Sequence, residues 1–384
     1  MVFMGADTVG RDAPLIDAAK ADLREMAAVG SGGNLNIFAQ VHGIDVPRRY
    51  HIGVDDGMPV PEGQRDTRDG RALVHFIRES LAQHREQDYS MLVLWGHAYD
   101  FAIGRTKERD GTVDALDFVR LSEVLGGLQD EIRSRYQTPD RPKLDIVAFD
   151  ACDVATVELA CQLQAYAKYL IGSQIGVPIP GWPYDRVLGR LRYPKGRLMG
   201  PAEFGAYVVR RFCRSYAPKH RTVSMTLLDL QRASELFART EVLATALDLA
   251  IDRGTEARSR LAQLFTRAQT ADYRPYVDVA DLCLNLVRES GDPLVRESAA
   301  ALGDFLLAPR PEEVGESVEG KGQPFVVELG RNASATAKLN GISIYAPHVA
   351  PMNDFASVEA LYRRFTFASE TRWSRLVHGL ARLP

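Results

Sequence analysis

Over residues 1–194, short apolar runs alternate with stretches whose apolar positions recur at helical spacing. Val2 to Ala6 is a run of the first kind. Asp12 to Val29 is of the second, with Leu15, Ile16, Ala19, Leu23 and Met26 on one stripe. Gly30 to Gly33 breaks the pattern, Leu35 to Val41 resumes as a strand, and Arg49 to Val54 is placed to pair beside it. Gly70 to Gln83 predicts an amphipathic helix through Leu73, Phe76, Ile77 and Leu81. Two nearly continuous apolar runs follow, Met91 to Trp95 and Ile146 to Phe149. Such runs suit strands buried on both faces, the habit of a parallel sheet covered by helices. Between them Leu121, Val124, Leu125, Leu128 and Ile132 predict a helix. Val154 to Ala167 predicts another, leading into the strand Tyr169 to Gly172. This is the rhythm of a doubly wound α/β layer.

From about residue 195 the pattern turns helical, at Glu203 to Tyr216, Leu227 to Ile251, Glu256 to Ala268, Val277 to Arg288 and Leu294 to Leu307. Strands return at Phe325 to Leu329 and Gly341 to Tyr345, and helices near Ser357 and Thr371 close the chain. The expected organisation is a core over 1–194, a mainly helical insertion over 195–322, and strands and helices of 323–384 returning to the core. Pro309 to Gly322, rich in Glu, Gly and Pro, reads as a mobile loop.

Composition narrows the function classes. The chain is 46% apolar and 25% charged, an ordinary globular balance for one large domain or two smaller ones. With a net charge of -3 it makes no electrostatic case for nucleic acid or a membrane surface as partner. No run of eighteen apolar residues calls for membrane insertion. The first residues do not read as a signal peptide, which favours the cytoplasm, with secretion through a leader removed ahead of this numbering left open. The four cysteines, Cys152, Cys161, Cys213 and Cys283, follow neither a disulfide framework nor a zinc pattern. Three of them read as small buried apolar residues. There is no phosphate loop or dinucleotide fingerprint, so no cofactor is called for.

Cys152 differs because of where it falls. In open α/β sheets reactive groups gather beyond the carboxyl ends of the strands. Met91 to Trp95 runs into Gly96-His97-Ala98, and Ile146 to Phe149 runs into Asp150-Ala151-Cys152-Asp153. If these strands are neighbours, an imidazole and a thiol meet across their ends. The imidazole can take the thiol's proton and later hand one to a leaving amine, while the thiolate is the nucleophile. A helix beginning near Val154 would add its positive end. The backbone N–H groups of Ala98 and Cys152 are candidates for an oxyanion hole. Taken singly, His97 reads as a core histidine and Cys152 as a buried filler. Their joint placement, 55 positions apart (152 minus 97), is what points to chemistry.

Trp95-Gly96-His97 and Phe149-Asp150-Ala151-Cys152 resemble the histidine and cysteine motifs of clostripain-like cysteine peptidases. Met4 to Asp7 with Gly30, Ser173-Gln174, Gly181-Trp182 and Gly341 to Tyr345 are similar to other segments of that family, in the family's order. The resemblance implies a caspase-like three-layer α/β/α sandwich with a mostly parallel central sheet, and a cysteine endopeptidase acting on proteins or peptides. It assigns Asp150 to a pocket for the Arg or Lys before the scissile bond, against the competing reading of a carboxylate that holds a loop or caps the next helix, and sets Ser173 and Gln174 beside bound substrate. Local backbone bonding is the competing reading of those two residues. The resemblance also implies self-cleavage between His97 and Cys152, where Arg105, Lys107 and Arg109 stand in a charged, Gly-flanked stretch that otherwise reads as a solvated loop. Some relatives depend on calcium, though Asp110, Asp114 and Asp117 do not follow a calcium-loop pattern. The chain departs from the family at Ala98, where glycine is usual, and at Ile175, where an acidic residue is common. Asp153 reads as a helix cap. The alternatives are a catalytically silent caspase-like module that binds a protein partner, and a small-molecule-binding α/β domain. The intact His and Cys disfavour the first, and the missing glycine-rich loop the second. No activating partner is legible.

Overall fold

Strands buried on both faces must send alternate side chains to opposite layers, and the central strands here do so. The computed structural model describes residues 1–5, 15–42, 46–65, 67, 69–82, 89–107, 113–129, 144–194, 197–217, 221–271, 275–307, 324–332, 336, 338–347 and 355–381. The strands are β1 (Val2–Gly5), β2 (Phe38–His42), β3 (Arg48–His51), β4 (Met58–Pro59), β5 (Met91–Gly96), β6 (Ala98–Tyr99) and β7 (Ala102–Lys107). They continue with β8 (Val113–Asp117), β9 (Leu144–Asp150), β10 (Ala167–Gly172), β11 (Ser224–Asp229), β12 (Tyr276–Asp278), β13 (Val326–Arg331) and β14 (Ser343–Tyr345). A nine-stranded sheet takes the order β13-β11-β10-β9-β5-β1-β2-β3-β4. Its middle, β10-β9-β5-β1-β2, is parallel throughout, and antiparallel strands extend both edges.

The helices are α1 (Leu15–Val29), α2 (Arg71–Leu81), α3 (Phe118–Gly127), α4 (Val157–Leu163), α5 (Tyr184–Arg192), α6 (Pro201–Tyr216) and α7 (Ala233–Ile251). After them come α8 (Thr255–Arg267), α9 (Val279–Glu289), α10 (Pro293–Leu306), α11 (Phe355–Tyr362), α12 (Thr366–Glu370) and α13 (Trp373–Ala381). One face of the sheet packs on α1, α5 and α6 through Met4, Val93, Trp95, Ile146 and Ala148. The other packs on the remaining layer through Phe3, Leu92, Leu94, Val147 and Phe149. Three layers result, as the strand–helix rhythm predicts.

Several local expectations change. The stretch from Leu227, expected as helix, begins as β11, and α7 starts only at Ala233. A strand enclosed on both faces is apolar at nearly every position, so over six residues it cannot be told from a buried helix. Val277 likewise lies in β12 rather than in α9. The helix expected from Val154 to Ala167 is confined to Val157–Leu163, and Ala167 already belongs to β10. Ile132 and the stretch Pro309 to Gly322 lie outside the described residues. No helix among the described residues is long and apolar enough to cross a membrane.

Candidate active site

The β5–β9 ladder sets the geometry. Its pairing keeps one offset, from Met91 opposite Ile146 to Trp95 opposite Asp150. The same offset separates His97 from Cys152, so each residue stands two positions beyond that last pair. The sequence spacing is therefore the register of two adjacent parallel strands. Both side chains are half-buried at the carboxyl end of the sheet.

Gly96 makes the exit from β5 possible. Its φ is +144°, and a Cβ there would lie 2.8 Å from the carbonyl oxygen of Gly5. No larger residue fits that approach without strain. The chain then enters β6, which pairs with β7 through a two-residue turn at Asp100 and Phe101. Both turn residues have positive φ, the backbone of a type I′ hairpin. Phe101 holds this unfavourable conformation inside a cluster with Tyr276, Tyr345, Tyr362 and Phe365. Ala98 is not among the non-glycine residues with positive φ, so alanine replaces the family's usual glycine without backbone strain. Arg105 and Lys107, expected in a solvated loop, lie on strand β7 opposite β8, with an irregularity in pairing between Ile103 and Thr106. The glycine at 104 has a φ of +74° there, which lets the strand bulge. Arg109 and Asp110 lie outside the described residues.

On the other strand end, Cys152 is reduced. Its Sγ accepts a hydrogen bond from the backbone N–H of Val177 at 3.2 Å, a donor that favours negative charge on sulfur. The helix assigned to support it starts too late to do so. Thr156, not Asp153, caps α4 by accepting from the N–H of Leu159. Residues 154 and 155 are committed elsewhere, because both their N–H groups donate to the carbonyl of Ser173. Asp153 instead occupies a turn with φ of +52°. A helix terminus acts mainly within its own first turn, so the α4 dipole is not the local source of thiolate stabilisation.

Asp150 sits at the end of β9 on the α1 face and is almost fully buried. One carboxylate oxygen accepts from the N–H of Trp182 at 3.0 Å and from the Tyr184 hydroxyl at 3.2 Å. A Cβ at Gly181 would lie 2.7 Å from that oxygen, which accounts for glycine before Trp182. Burial pushes the Asp150 carboxyl from the usual range to about 7, against the pull of its two hydrogen bonds, and nearby Glu25 adds to the rise. Asp22 lies behind it, holding the Trp95 indole N–H at 2.8 Å. Burial first and the Asp150 charge second push Asp22 up to about 9. Glu25, raised mainly by burial, accepts the N–H of Tyr184 at 2.8 Å. The charges acting on Asp150 and Asp22 are thus carboxylates.

Ser173 and Gln174 are buried, and their side chains make hydrogen bonds within the fold. Ser173 Oγ accepts from the N–H of Ile175 at 3.1 Å. Gln174 donates to Asp278 and Ser343, both at 2.9 Å, and accepts from the N–H of Gly341 at 2.6 Å. One amide thereby ties the segment after β10 to β12 and β14. Gln174→Ala is expected to destabilise the fold by about 2–3 kcal/mol, because it strands buried polar groups, while leaving KM of the folded enzyme within about twofold. Urea unfolding alongside peptide kinetics checks this, and a large rise in KM at unchanged stability would return Gln174 to the substrate side.

Among the calcium candidates, Asp117 caps α3 through the N–H of Arg120 and pairs with Arg364 at 3.0 Å. Sequence reasoning did not find Asp22, Glu25, Val177 or Tyr184. Only the Gly-Trp segment at 181–182 signalled that this loop mattered, and its contacts span long separations in the chain.

The comparisons with known proteins agree with this architecture. The Clostripain family profile matches residues 5–375. A secreted C11 cysteine protease of Bacteroides thetaiotaomicron, called iotapain, superposes with a TM-score of 0.62 at 13% identity, covering 96% of this chain and 98% of that one. A structure described as a secreted C11 cysteine protease of the same organism with an irreversible peptide inhibitor gives 0.58 at 17% identity, covering 96% and 97%. An inactive zymogen C11 protease of Parabacteroides distasonis gives 0.57 at 15% identity, covering 96% of each chain. No curated protein matches by sequence. With a family match running over nearly its whole length and a caspase-like sheet beneath it, the chain belongs to the clostripain family of cysteine peptidases.

Proposed function

We propose that the chain is an endopeptidase that cleaves after arginine or lysine, with Cys152 as nucleophile and His97 as the group that moves protons. The observation that supports this reading is the constant β5–β9 offset, by which each residue follows the last ladder pair by two positions on adjacent strands. In the proposed cycle His97 takes the thiol proton and the sulfur attacks the scissile carbonyl carbon. The N–H groups of Ala98 and Cys152 receive the oxyanion. Collapse breaks the C–N bond, and the imidazolium gives its proton to the departing amine. Water, deprotonated by His97, then hydrolyses the thioester and restores the thiol.

Asp150 supports the basic preference. It ends β9, two residues before Cys152. Of its acidic neighbours Glu25 acts on it as negative charge, which a guanidinium or ammonium group would offset. Ile175 is buried, so no acidic side chain stands at that position to assist. The test is a panel of fluorogenic peptides with Arg, Lys, Asp or a neutral residue before the cut, each with calcium and with a chelator. Cleavage after Arg and Lys is the expected result. Cleavage confined to Asp or neutral peptides would discard the pocket assignment and keep the peptidase. A rate that collapses with the chelator would add a calcium requirement.

A further inference from the structure

Three non-glycine positions among the described residues have positive φ, and all three flank the candidate pair. Asp153 follows Cys152 directly, while Asp100 and Phe101 form the turn shortly after His97. Aspartate tolerates left-handed backbone, but a bulky phenylalanine is an outlier there. Such a conformation persists only where its surroundings over-determine it.

His97 stands at the root of a closed hairpin. Its carbonyl accepts from the N–H of Gly104 at 2.9 Å, and Ala98 and Tyr99 pair with Ile103 and Ala102. A glycine of positive φ stands at each root, Gly96 at +144° and Gly104 at +74°. Glycines restrict direction least of all residues, so the hairpin takes its direction from what its tip touches. That contact is Phe101, only 2% exposed. Its ring centroid lies 5.0 Å from that of Phe365, 5.4 Å from Tyr345, 5.5 Å from Tyr276 and 5.8 Å from Tyr362. Tyr276 and Tyr345 meet it edge to face, a favoured aromatic arrangement. Its carbonyl also accepts from the N–H of Phe118 at 2.9 Å. The residue that adopts the unfavourable φ is thus the one whose ring fills the cage, and the ring contacts offset the backbone strain. The cage itself comes from far along the chain, from β12, β14, the end of α11 and the residue that caps α12.

We propose that Phe101 is a positioning residue for His97: its ring, seated among Tyr276, Tyr345, Tyr362 and Phe365, fixes the hairpin rooted at His97 and so sets the approach of the imidazole to the Cys152 sulfur. The inference rests on the reading of His97 and Cys152 as a pair. Its test reads thiol reactivity, so it needs no knowledge of which peptides the chain cleaves. The full chain is alkylated with iodoacetamide from about pH 5 to about pH 9, Cys161, Cys213 and Cys283 being buried. A thiolate paired with an imidazolium reacts well below about pH 8.5, where a lone thiol ionises. Wild type should therefore keep a reactive shoulder near about pH 6 that His97→Ala lacks. Phe101→Gly accepts the positive φ without strain and removes only the ring. It is expected to react at least about tenfold more slowly than wild type near about pH 6 and at a similar rate near about pH 9. Phe101→Leu keeps much of the apolar volume and should lose about threefold at the lower pH. It keeps the test decisive if Phe101→Gly does not fold. Circular dichroism identifies folded variants, and mass spectrometry confirms a single alkylated cysteine. A purely structural role would lower the unfolding midpoint and leave the pH profile where it was. An unchanged profile in a folded Phe101 variant would overturn the proposal and leave the pair standing. A wild-type profile equal to that of His97→Ala would overturn the pair, and the proposal with it.

Discussion

Replacing Cys152 by alanine is expected to lower kcat/KM for peptide cleavage by at least about 10⁴-fold, equivalent to roughly 5.5 kcal/mol of transition-state stabilisation. His97→Ala should fall within about tenfold of that loss. The double variant should be no worse than the poorer single one, because a nucleophile and its base act as a unit. In the proposed cycle the proton on sulfur has nowhere to go without the imidazole, and the imidazole has nothing to activate without the sulfur. Both residues stand beyond the last ladder pair between β5 and β9, so urea midpoints should stay close to wild type. Steady-state kinetics on the three variants measure this. A His97→Ala enzyme keeping more than a tenth of its activity, or losses that multiply in the double variant, would remove His97 from the chemistry.

Asp150→Asn should separate specificity from stability, with opposite signs. Burial holds the wild-type carboxyl at about 7. If the ionised form receives the basic side chain, the ratio of kcat/KM for an Arg peptide to that for a neutral one rises about tenfold per unit as pH approaches 7, then levels off. Taking the ratio cancels the titration of the catalytic pair, which is common to both substrates. In the asparagine variant the ratio should be flat and lower by about 100-fold, as expected for loss of a buried charge-assisted contact. A steep ratio persisting in the variant would place the basic pocket elsewhere.

The stability effect follows from the same shift. The folded state binds this proton more tightly than the unfolded chain, whose aspartate titrates near 3.8. The stability it confers is complete below about pH 4 and is lost as pH rises through about 7, an effect on the order of 4 kcal/mol at most. Asparagine has no proton to lose and keeps an acceptor for Trp182 and Tyr184. The variant should therefore unfold at higher urea than wild type at pH 8 and at nearly the same urea at pH 4. A variant less stable at pH 8 would show that the carboxylate is held there by more than these two hydrogen bonds.

The parts of this architecture that were legible in the sequence share one physical property: their signal is local. Met91 to Trp95 and Ile146 to Phe149 are apolar at successive positions because both their faces are covered, and that alone marks them as central strands. His97 and Cys152 closely follow these two runs, but their meeting depends on the strands being neighbours, which the ladder supplies and the local pattern does not. Strands β6 to β8 carry no such signal: β6 has two residues, and β7, with Gly104, Arg105 and Lys107, is too polar and Gly-broken to show an apolar run. The helix α5 was also missed, between the Gly181-Trp182 turn and the charged run that follows. Other features are set by tertiary contact alone. Gln174 looks like a strand-end polar residue until Asp278 and Ser343 are brought to it across the fold. Asp22 is one acid on an amphipathic helix until Trp95 and Asp150 close over it.

The ladder between β5 and β9 is also the boundary between two halves of the molecule. A chain broken anywhere between β8 and β9 leaves the imidazole on one polypeptide and the thiol on the other. Yet the hydrogen bonds and interleaved side chains of the two strands continue to hold the pieces as one particle. Neither piece alone carries both members of the proposed pair, and β9 separated from β5 would present a bare, apolar parallel edge open to a matching strand. Peptide hydrolysis by such a divided protein is thus a report on sheet assembly, and correct strand pairing becomes the condition for chemistry.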